Sequence, residues 1–252
     1  MIIKTKSDLN NIKTAAKINT ECLLYLKSIT TEGIDSYEID RKAEEFYKKN
    51  SAKPAFKGVP GSKFPYPATI NFQRNDEVVH GIPHKDQIVE DGDIISIDTG
   101  CIYNGYYADH ATSFGIGSLS EEDEKLLSIA KLSVEAGCQQ AIAGNHVGDI
   151  GYAQQTIIEM AGFSVVKVLC GHEIGKSLWE DILIPAFGSR GSGETLEENL
   201  VVCIENQTCA GNESVYTESD GWLIKTKDGK KAATFEHMVL VKKGKPEILT
   251  QV

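Results

Sequence analysis

Apolar residues near the start of the chain recur with helical spacing. The pattern predicts one helix from Ser7, which can cap it, to about residue 27, and a second helix over residues 36–49. A loop rich in proline and glycine follows at residues 59–67. Short apolar runs come next, and we expect them to form strands. These runs are residues 68–73, 78–80 and 93–97.

The second half of the chain repeats this order. A capping-box pattern at Ser120 predicts a helix to about residue 142, and a further helix covers residues 148–160. The interval from Ser7 to Ser120 equals that from Ile34 to Val147, which indicates two similar halves, although coincidence is an alternative because their side chains differ. Helix pairs followed by strands favour an α+β architecture. The strand-like runs are residues 165–170, 200–205, 223–225 and 235–241.

Residues 98–114 have the pattern of a β-hairpin. Asn104 and Gly105 are typical of a two-residue type I′ turn. With that turn at the tip, Asp98 and Asp109 lie diagonally on one face of the ribbon, roughly 7 Å apart. Carboxylates this close repel each other. They either bind a divalent cation or form an exposed acidic pair on a solvated face.

Three further polar residues lie in or beside apolar runs. Glu205 ends one run, Glu236 lies inside another, and His172 follows a third between two glycines. A charged side chain in a strand either faces water or is held by a cation, because burial without a partner is costly. The glycines suit a turn that presents a ligand. Spacing alone does not join these residues to the aspartates, and each has a purely structural alternative.

Length and composition narrow the class of protein. The 252 residues, 41% of them hydrophobic, suffice for one large domain, which we assign to residues 1–252. The net charge of -10, without a dense Lys/Arg run, argues against a nucleic-acid partner. The sequence has neither a membrane-spanning run nor a secretory signal, so we expect no membrane partner. Six cysteines without a Cys-x-x-Cys pair indicate reduced thiols in a cytoplasmic protein, which we expect to be a monomer.

Several short segments occur in a fixed order along nearly the whole chain. They are residues 80–83 (HGIP), 91–98 (DGDIISID), 108–114 (ADHATSF), 170–175 (CGHEIG), 203–205 (CIE), 221–222 (GW) and 235–237 (FEH). In these segments the chain resembles the type I methionine aminopeptidases. The resemblance implies a pita-bread fold, with two pseudo-symmetric αβ halves around a curved antiparallel sheet. It also implies a hydrolase that removes the initiator methionine from the N-termini of peptides and nascent chains.

The same resemblance implies a site for two divalent metal ions, chosen from Mn, Fe, Co and Zn. Asp98 and Asp109 would bind metal, with Asp109 bridging, and His172 would complete one of the two sites. Glu205 would bind metal and accept the proton of the attacking water, and Glu236 would bridge the ions. Four carboxylates would then balance the charge of two dications.

A substrate pocket is implied as well. His80 would hydrogen-bond the nitrogen of the scissile amide, which gives it a catalytic role beside Glu205. His110 and His237 each follow an implied ligand, so we expect them to face the opposite side of their strands. The implied substrate-binding residues are His80, Tyr66, Asn71, Leu178, Trp179 and Trp222.

The chain departs from the family around the substrate. Trp179 stands where the family has a second histidine, and an indole can donate a hydrogen bond but cannot titrate. Leu178 replaces an aromatic residue, Asn71 replaces a small thiol-bearing residue, and Asn206 replaces a proline. Two alternatives to an active methionine aminopeptidase follow. One is a metallo-aminopeptidase of altered specificity, and the other is a weakly active or non-catalytic peptide-binding relative.

Overall fold

A computed structural model describes residues 1–251, which contain four helices and thirteen strands. The helices are α1 (Lys6–Ile29), α2 (Ser36–Lys49), α3 (Glu121–Gln139) and α4 (Val147–Met160). The strands before α3 are β1 (Lys53–Pro54), β2 (Ile70–Arg74), β3 (Glu77–Val79), β4 (Ile94–Tyr103) and β5 (Tyr106–Gly115). Those after α4 are β6 (Ser164–Val165), β7 (Gly171–Glu173), β8 (Leu183–Ile184), β9 (Val201–Cys209), β10 (Val215–Thr217), β11 (Ile224–Thr226), β12 (Ala232–Leu240) and β13 (Glu247–Ile248).

The predicted helices are present, but two of their ends differ from the prediction. Ser7 is not the cap of α1, because Thr5 caps the helix and forms a reciprocal capping box with Asp8. The predicted bounds of α2 are confirmed. Ser120 caps α3 as predicted, but the helix ends at Gln139. It stops before residue 142 because the chain there turns to pair with Lys242.

One strand prediction is wrong. Residues 165–170 do not form a single strand, since the chain leaves the sheet after β6 and returns to it only at β7. Val168 lies in the intervening segment and is 77% exposed. The apolar run predicts a strand, but part of the run lies on the surface outside the sheet. The predicted run at 200–205 is correct but short, because β9 continues to Cys209.

Two antiparallel ribbons organise the molecule. The first is the β4–β5 hairpin, flanked by β1 and β2, and the second is the β9–β12 pair, flanked by β6, β7 and β13. One apolar core packs α1 and α2 against the first ribbon, and a second packs α3 and α4 against the second ribbon. Each half therefore has a helix pair over an antiparallel ribbon, as the repeated order of elements predicts.

The two ribbons meet through polar contacts between β5 and β12. The hydroxyl of Ser113 donates to the carbonyl of Thr234 at 2.8 Å and accepts from the Thr234 N–H at 2.8 Å. The N–H of Asp109 points to the sulfur of Met238 at 3.3 Å. Within residues 1–251, none of the helices combines the length and the apolar character that a membrane crossing requires.

Candidate metal centre

The β4–β5 hairpin has the register that its turn predicts. Asn104 and Gly105 both have positive φ at the tip, Asp98 pairs with Ala111, and Asp109 pairs with Gly100. The two aspartates therefore share one face of the ribbon. Residues 95 and 97 point to the other face and are fully buried under the helices. Strand alternation thus separates the acidic face from the core.

The second ribbon supplies the glutamates. Glu205 of β9 lies directly opposite Glu236 of β12 in the antiparallel register. His172 of β7 pairs with Cys203, two residues before Glu205 on the same face of β9. Three neighbouring strands thus direct these side chains towards the hairpin aspartates.

The five predicted ligands line one cavity of about 230 Å³ between the ribbons. The Nε2 atom of His172 lies 3.7 Å from Oδ2 of Asp109. Ligand atoms of Asp109, His172, Cys203 and Glu236 all lie within 4.8 Å of one another. Because carboxylate, imidazole and thiolate are all metal-binding groups, this buried set can hold a metal ion.

The carboxyl groups of the cavity lack counter-charges from the chain. Buried oxygens of Asp98, Asp109 and Glu236 have no hydrogen-bond partner. Burial raises the pKa of Asp98 to about 6, and burial together with the charge of Asp98 raises the pKa of Glu205 to about 8. Burial and neighbouring carboxylates raise the pKa of both Asp109 and Glu236 well above the ordinary range. Unpaired buried oxygens and repelling carboxylates are the features that bound dications relieve, so these residues fit a divalent metal site.

His80 lies on the cavity wall in a left-handed backbone conformation, with a φ of 59°. This conformation is rare for residues with a side chain. Burial lowers the pKa of His80 to about 4, so the imidazole is neutral at pH 7. A neutral imidazole can donate or accept a hydrogen bond without adding charge to the site. Its chain neighbour Gly81 lies against Phe72, where a Cβ atom would come within 2.1 Å of a backbone oxygen.

The predicted substrate residues divide into two groups. Asn71 and Trp179 line the cavity, and the Asn71 amide donates to Oδ2 of Asp98 at 2.7 Å. Leu178 and Tyr66 do not line it, because both are buried in the first core. Trp222 packs against the ring of Tyr66, at 5.1 Å between centroids, and also lies outside the cavity lining. Asn206 faces away from the cavity and donates to a carbonyl of α3.

His110 and His237 face the opposite side of the ribbons, as predicted. Their rings lie 4.9 Å apart, on the faces of β5 and β12 that point away from the metal-binding side chains. Alternate residues of β5 and β12 thus face the metal-binding cavity and a separate pocket beside α1 and α3.

Several residues of the site were not predicted from the sequence. Gln207 donates a hydrogen bond to Glu205, and Cys203 joins the ligand group from the same strand. Thr234 precedes Glu236 by two positions on β12 and also lines the cavity. Strand alternation around Glu205 and Glu236 was the signal that could have found all three. The missed lining is completed by residues without a comparable pattern, namely Phe56, Gln73, Val79, Val168, Leu169 and Cys170.

Comparison with known proteins agrees with this geometry. The model of metallopeptidase family M24 matches residues 10–243. The chain belongs to metallopeptidase family M24. The predicted metal cofactor is therefore confirmed at the level of a metal-dependent hydrolase, and the buried group around Asp109 is the place in the fold that can hold metal.

Relatives within the family are methionine aminopeptidases. The chain is 40% identical to the methionine aminopeptidase of Clostridium acetobutylicum, over 99% of this chain and 98% of that protein. It is 39% identical to methionine aminopeptidase 1 of Bacillus subtilis over the full length of both. These relatives confirm the predicted resemblance and the predicted class, a methionine aminopeptidase.

Solved structures confirm the pita-bread fold. The methionine aminopeptidase of Thermotoga maritima superposes with a TM-score of 0.96 at 33% identity and covers 100% of both chains. A prolidase from Pyrococcus furiosus shares the fold alone, with a TM-score of 0.73 at 21% identity, and this chain covers 66% of it.

Proposed function

We propose that the chain hydrolyses the first peptide bond of peptides and nascent chains that begin with methionine, with two divalent ions bound by Asp98, Asp109, His172, Glu205 and Glu236. The observation that carries the proposal is the set of three carboxyl groups, of Asp98, Asp109 and Glu236, whose buried oxygens lack partners in the cavity that His172 and Glu205 also line. Bound there, the ions would supply Lewis acidity that polarises a carbonyl and makes water more acidic. The identity of the ions, among Mn, Fe, Co and Zn, is left open by this donor set.

Glu205 is proposed as the proton acceptor. Its carboxylate faces the cavity, and its hydrogen bond to Gln207 fixes the direction of the carboxylate. Glu236 lies opposite, so the two strands hold the two groups at a constant separation. A general base must be held within hydrogen-bond reach of the proton that it removes, and this rigid ribbon supplies that constraint.

His80 is proposed to contact the scissile amide. It is neutral, and it lines the same cavity as the acidic residues. A neutral imidazole there can hydrogen-bond the amide nitrogen while the acidic face remains available for the carbonyl and the free amino group. Because the four carboxylates would be neutralised by the two dications, the free amino group of the substrate would bind beside an ion and not to surplus negative charge. A site that uses this amino group favours cleavage at chain ends over cleavage in chain interiors.

Specificity is proposed to depend on Trp179. Its side chain is 55% exposed on the cavity rim, with its ring 6.5 Å from that of His172 and edge-on to it. A bulky indole there narrows the space for the residue after methionine. This observation also favours the second candidate, a metallo-aminopeptidase of altered specificity, over the family's ordinary selectivity. We therefore propose a preference for small second residues.

The proposal also covers the domain organisation, cellular compartment, partners and oligomeric state of the protein. We propose that residues 1–252 act as one catalytic domain, because the candidate ligands come from both halves of the fold. All six cysteines are free thiols, which supports a reducing cytoplasm. The excess of acidic residues gives no support for nucleic acid as a partner. We further propose that the chain acts as a monomer, because all five candidate ligands are supplied by its own sequence.

A peptide panel tests the proposal. Metal-free protein is loaded with Mn or Co and given free-amino peptides that differ in the first residue, with N-acetylated versions as controls. We expect cleavage of peptides that begin with methionine and none of the acetylated peptides. Cleavage of other first residues at equal rates would favour the altered-specificity candidate. Absence of cleavage with every metal and peptide would contradict an enzymatic function and favour a peptide-binding role.

A further inference from the structure

The pocket beside α1 and α3, here called the rear pocket, lies on the faces of β5 and β12 that point away from the metal-binding side chains. Its volume is about 350 Å³, which is in the range of small-molecule sites. Helix α1 and strand β5 wall it from the first half of the fold, and helix α3 and strand β12 wall it from the second half. A molecule bound in the rear pocket would therefore contact both halves.

Two histidine rings supply the polar part of the wall. His110 of β5 is buried, His237 of β12 is partly buried, and their ring centroids lie 4.9 Å apart. Nδ1 of His237 lies 2.9 Å from Oγ1 of Thr250, and Nδ1 of His110 lies 3.4 Å from Oγ1 of Thr20. Within residues 1–251, no protein donor or acceptor meets the Nε2 atom of either ring. Each ring thus has its Nδ1 atom paired and its Nε2 atom available to a ligand.

The hydroxyl partners decide which ring nitrogen carries the proton. Oγ1 of Thr250 accepts from the N–H of Met238 at 3.1 Å, and its own hydrogen has Nδ1 of His237 as its acceptor among the described residues. The Thr20 hydroxyl has Nδ1 of His110 as its acceptor in the same way. An imidazole that accepts at Nδ1 carries its proton at Nε2. Both rings therefore offer an N–H donor to the rear pocket.

The rim of the rear pocket has an excess of positive charge. Lys27 of α1 and Lys131 of α3 reach it from the two halves, and both are exposed. In the part of the lining that the structure describes, Glu135 is the single acidic residue, and its carboxylate lies 3.9 Å from the Lys131 ammonium. An exposed ion pair of this kind contributes little, so Lys131 can still bind another anion. Two ammonium groups thus face one carboxylate, in a chain whose net charge is -10.

Apolar side chains complete the wall. Leu23 of α1 and Phe235 of β12 are buried beside the rings, and Leu24 is 47% exposed at the rim. N–H donors and ammonium groups favour an anion, whereas the apolar wall favours a ligand with a hydrocarbon body. A carboxylate has two oxygens, one for each ring N–H.

We propose that the rear pocket binds a small organic carboxylate, with the carboxylate on the Nε2–H groups of His110 and His237 and the hydrocarbon body against Leu23 and Phe235. The lysines at the rim would add charge attraction. This site lies outside the metal centre and goes beyond the proposed function, and its test does not require peptide cleavage.

Matched probes test the class of ligand. Isocaproate is titrated into the full chain and followed by NMR, and isocaproamide serves as the control because it has the same hydrocarbon body without the charge. We expect a dissociation constant of about 1 mM or below for isocaproate, and binding at least about tenfold weaker for the amide. Inorganic phosphate, an anion without a hydrocarbon body, should also bind at least about tenfold more weakly than isocaproate. Absence of isocaproate binding, or binding of the amide or of phosphate as tight as that of isocaproate, would overturn the proposal.

Exposed lysines test the location of the site. Lys27→Met and Lys131→Met remove the charge and keep an unbranched side chain, so we expect each to keep the fold and to weaken isocaproate binding by about threefold. The matched control is Lys17→Met, which removes the same charge from an exposed position of α1 outside the rear pocket. All chains are titrated both metal-free and loaded with Zn. An affinity that is unchanged in both rim variants, or that appears only in the Zn-loaded chains, would place the carboxylate elsewhere and overturn the proposal.

The ring nitrogens provide a direct readout. Long-range proton–nitrogen correlation spectra resolve the protonated nitrogen of each of the six histidines. For His110 and His237 we expect the proton at Nε2 before isocaproate is added and a shift of that resonance afterwards. His110→Gln and His237→Gln assign the signals after circular dichroism has checked the fold, and the lysine variants give the location if either fails to fold. A proton at Nδ1 in either ring, or shifts confined to His80 and His172 of the metal-binding cavity, would contradict the proposed site.

Discussion

The metal centre and the substrate rim of this cavity are built in different ways. The candidate ligands Asp98, Asp109, Glu205 and Glu236 stand on long paired strands, whose register fixes their separation. The rim residue Trp179 stands on the connection between β7 and β8, where hydrogen bonds within the loop hold its backbone neighbours. Substitutions on the ribbons would therefore disturb the separation of the ligands. Substitutions at the rim can change the shape of the substrate pocket without moving the ligands. The departures from the family spare all five candidate ligands, although two of these departures, Asn71 and Asn206, lie on strands β2 and β9.

The largest effect is expected for Glu205, the proposed general base on strand β9. Glu205→Gln removes the proposed proton acceptor and weakens a ligand, so we expect kcat to fall by at least about a thousandfold, the combined effect of a lost general base and a lost charge. Peptide hydrolysis under Mn saturation measures it, and circular dichroism checks the fold. Gln207→Glu would add charge to the site, so it is a poor control. The control is Glu213→Gln, which removes a carboxylate from a surface ion pair with Lys167. If the Glu205→Gln variant kept a turnover near that of the parent, Glu205 would not be the proton acceptor.

The affinity for metal should depend steeply on pH. Because the pKa of Asp98 is about 6 and that of Glu205 about 8 in the metal-free site, these carboxyls hold protons that metal must displace. We expect the Mn dissociation constant to rise by about tenfold or more between pH 8 and pH 6. Titration calorimetry in buffers of different ionisation enthalpy measures the protons released. Binding without proton release would show that the carboxyls are already ionised.

The stability of the metal-free protein should fall as pH rises, whereas its affinity for metal should increase. Carboxyl groups whose folded pKa is raised above the unfolded value hold more protons in the folded state, so stability is lost as pH rises through the folded pKa. We therefore expect a higher melting temperature at pH 6 than at pH 8 for metal-free protein. Saturation with Mn should abolish or reverse this difference. The same pH dependence with and without metal would place its cause outside the cavity.

A moderate effect is expected at the rim. Trp179→His restores the family's residue beside His172, adding a titratable donor and more space, and we expect kcat on Met-Ala peptides to rise by roughly tenfold, less than the effect of a full oxyanion donor. Acceptance of larger second residues should increase as well. Leu178→Phe is the matched change at the buried neighbour, where we expect overpacking of the core and no gain in rate. Equal behaviour of the two variants would show that Trp179 does not face the substrate.

The smallest effect is expected at the contact between the ribbons. Ser113→Ala leaves the buried N–H and carbonyl of Thr234 without their partner, which should cost about 1–3 kcal/mol of unfolding free energy. Metal affinity should fall too, because the two ribbons no longer share that contact. Ser133→Ala removes a buried hydroxyl within the second half, where its partner is Gln154. We expect this control to lower stability without changing metal affinity, and denaturant titrations with metal binding separate the two cases.

The sequence by itself determined the helices and strands whose apolar residues recur at regular intervals, and it determined which side chains share a face of those elements. The turn at Asn104 and Gly105 fixed the hairpin register, so the shared face of Asp98 and Asp109 followed from alternation alone. Family motifs then supplied the other three ligands, whose joint placement no spacing rule could give. The strand predicted at 165–170 is wrong beyond residue 165, because local hydrophobicity does not show whether a run is covered by other elements.

Only the tertiary structure decided which side chains meet across the halves. It placed Tyr66 and Leu178 in the core and Trp179 on the rim, although all three were assigned to the substrate on the same resemblance. It also brought Met1 to Glu173 and Glu180, far apart in sequence, through the pairing of residues 1–3 with the start of β9. Such contacts depend on how the helix pairs and ribbons pack together, and packing is a property of the folded chain that no local pattern encodes.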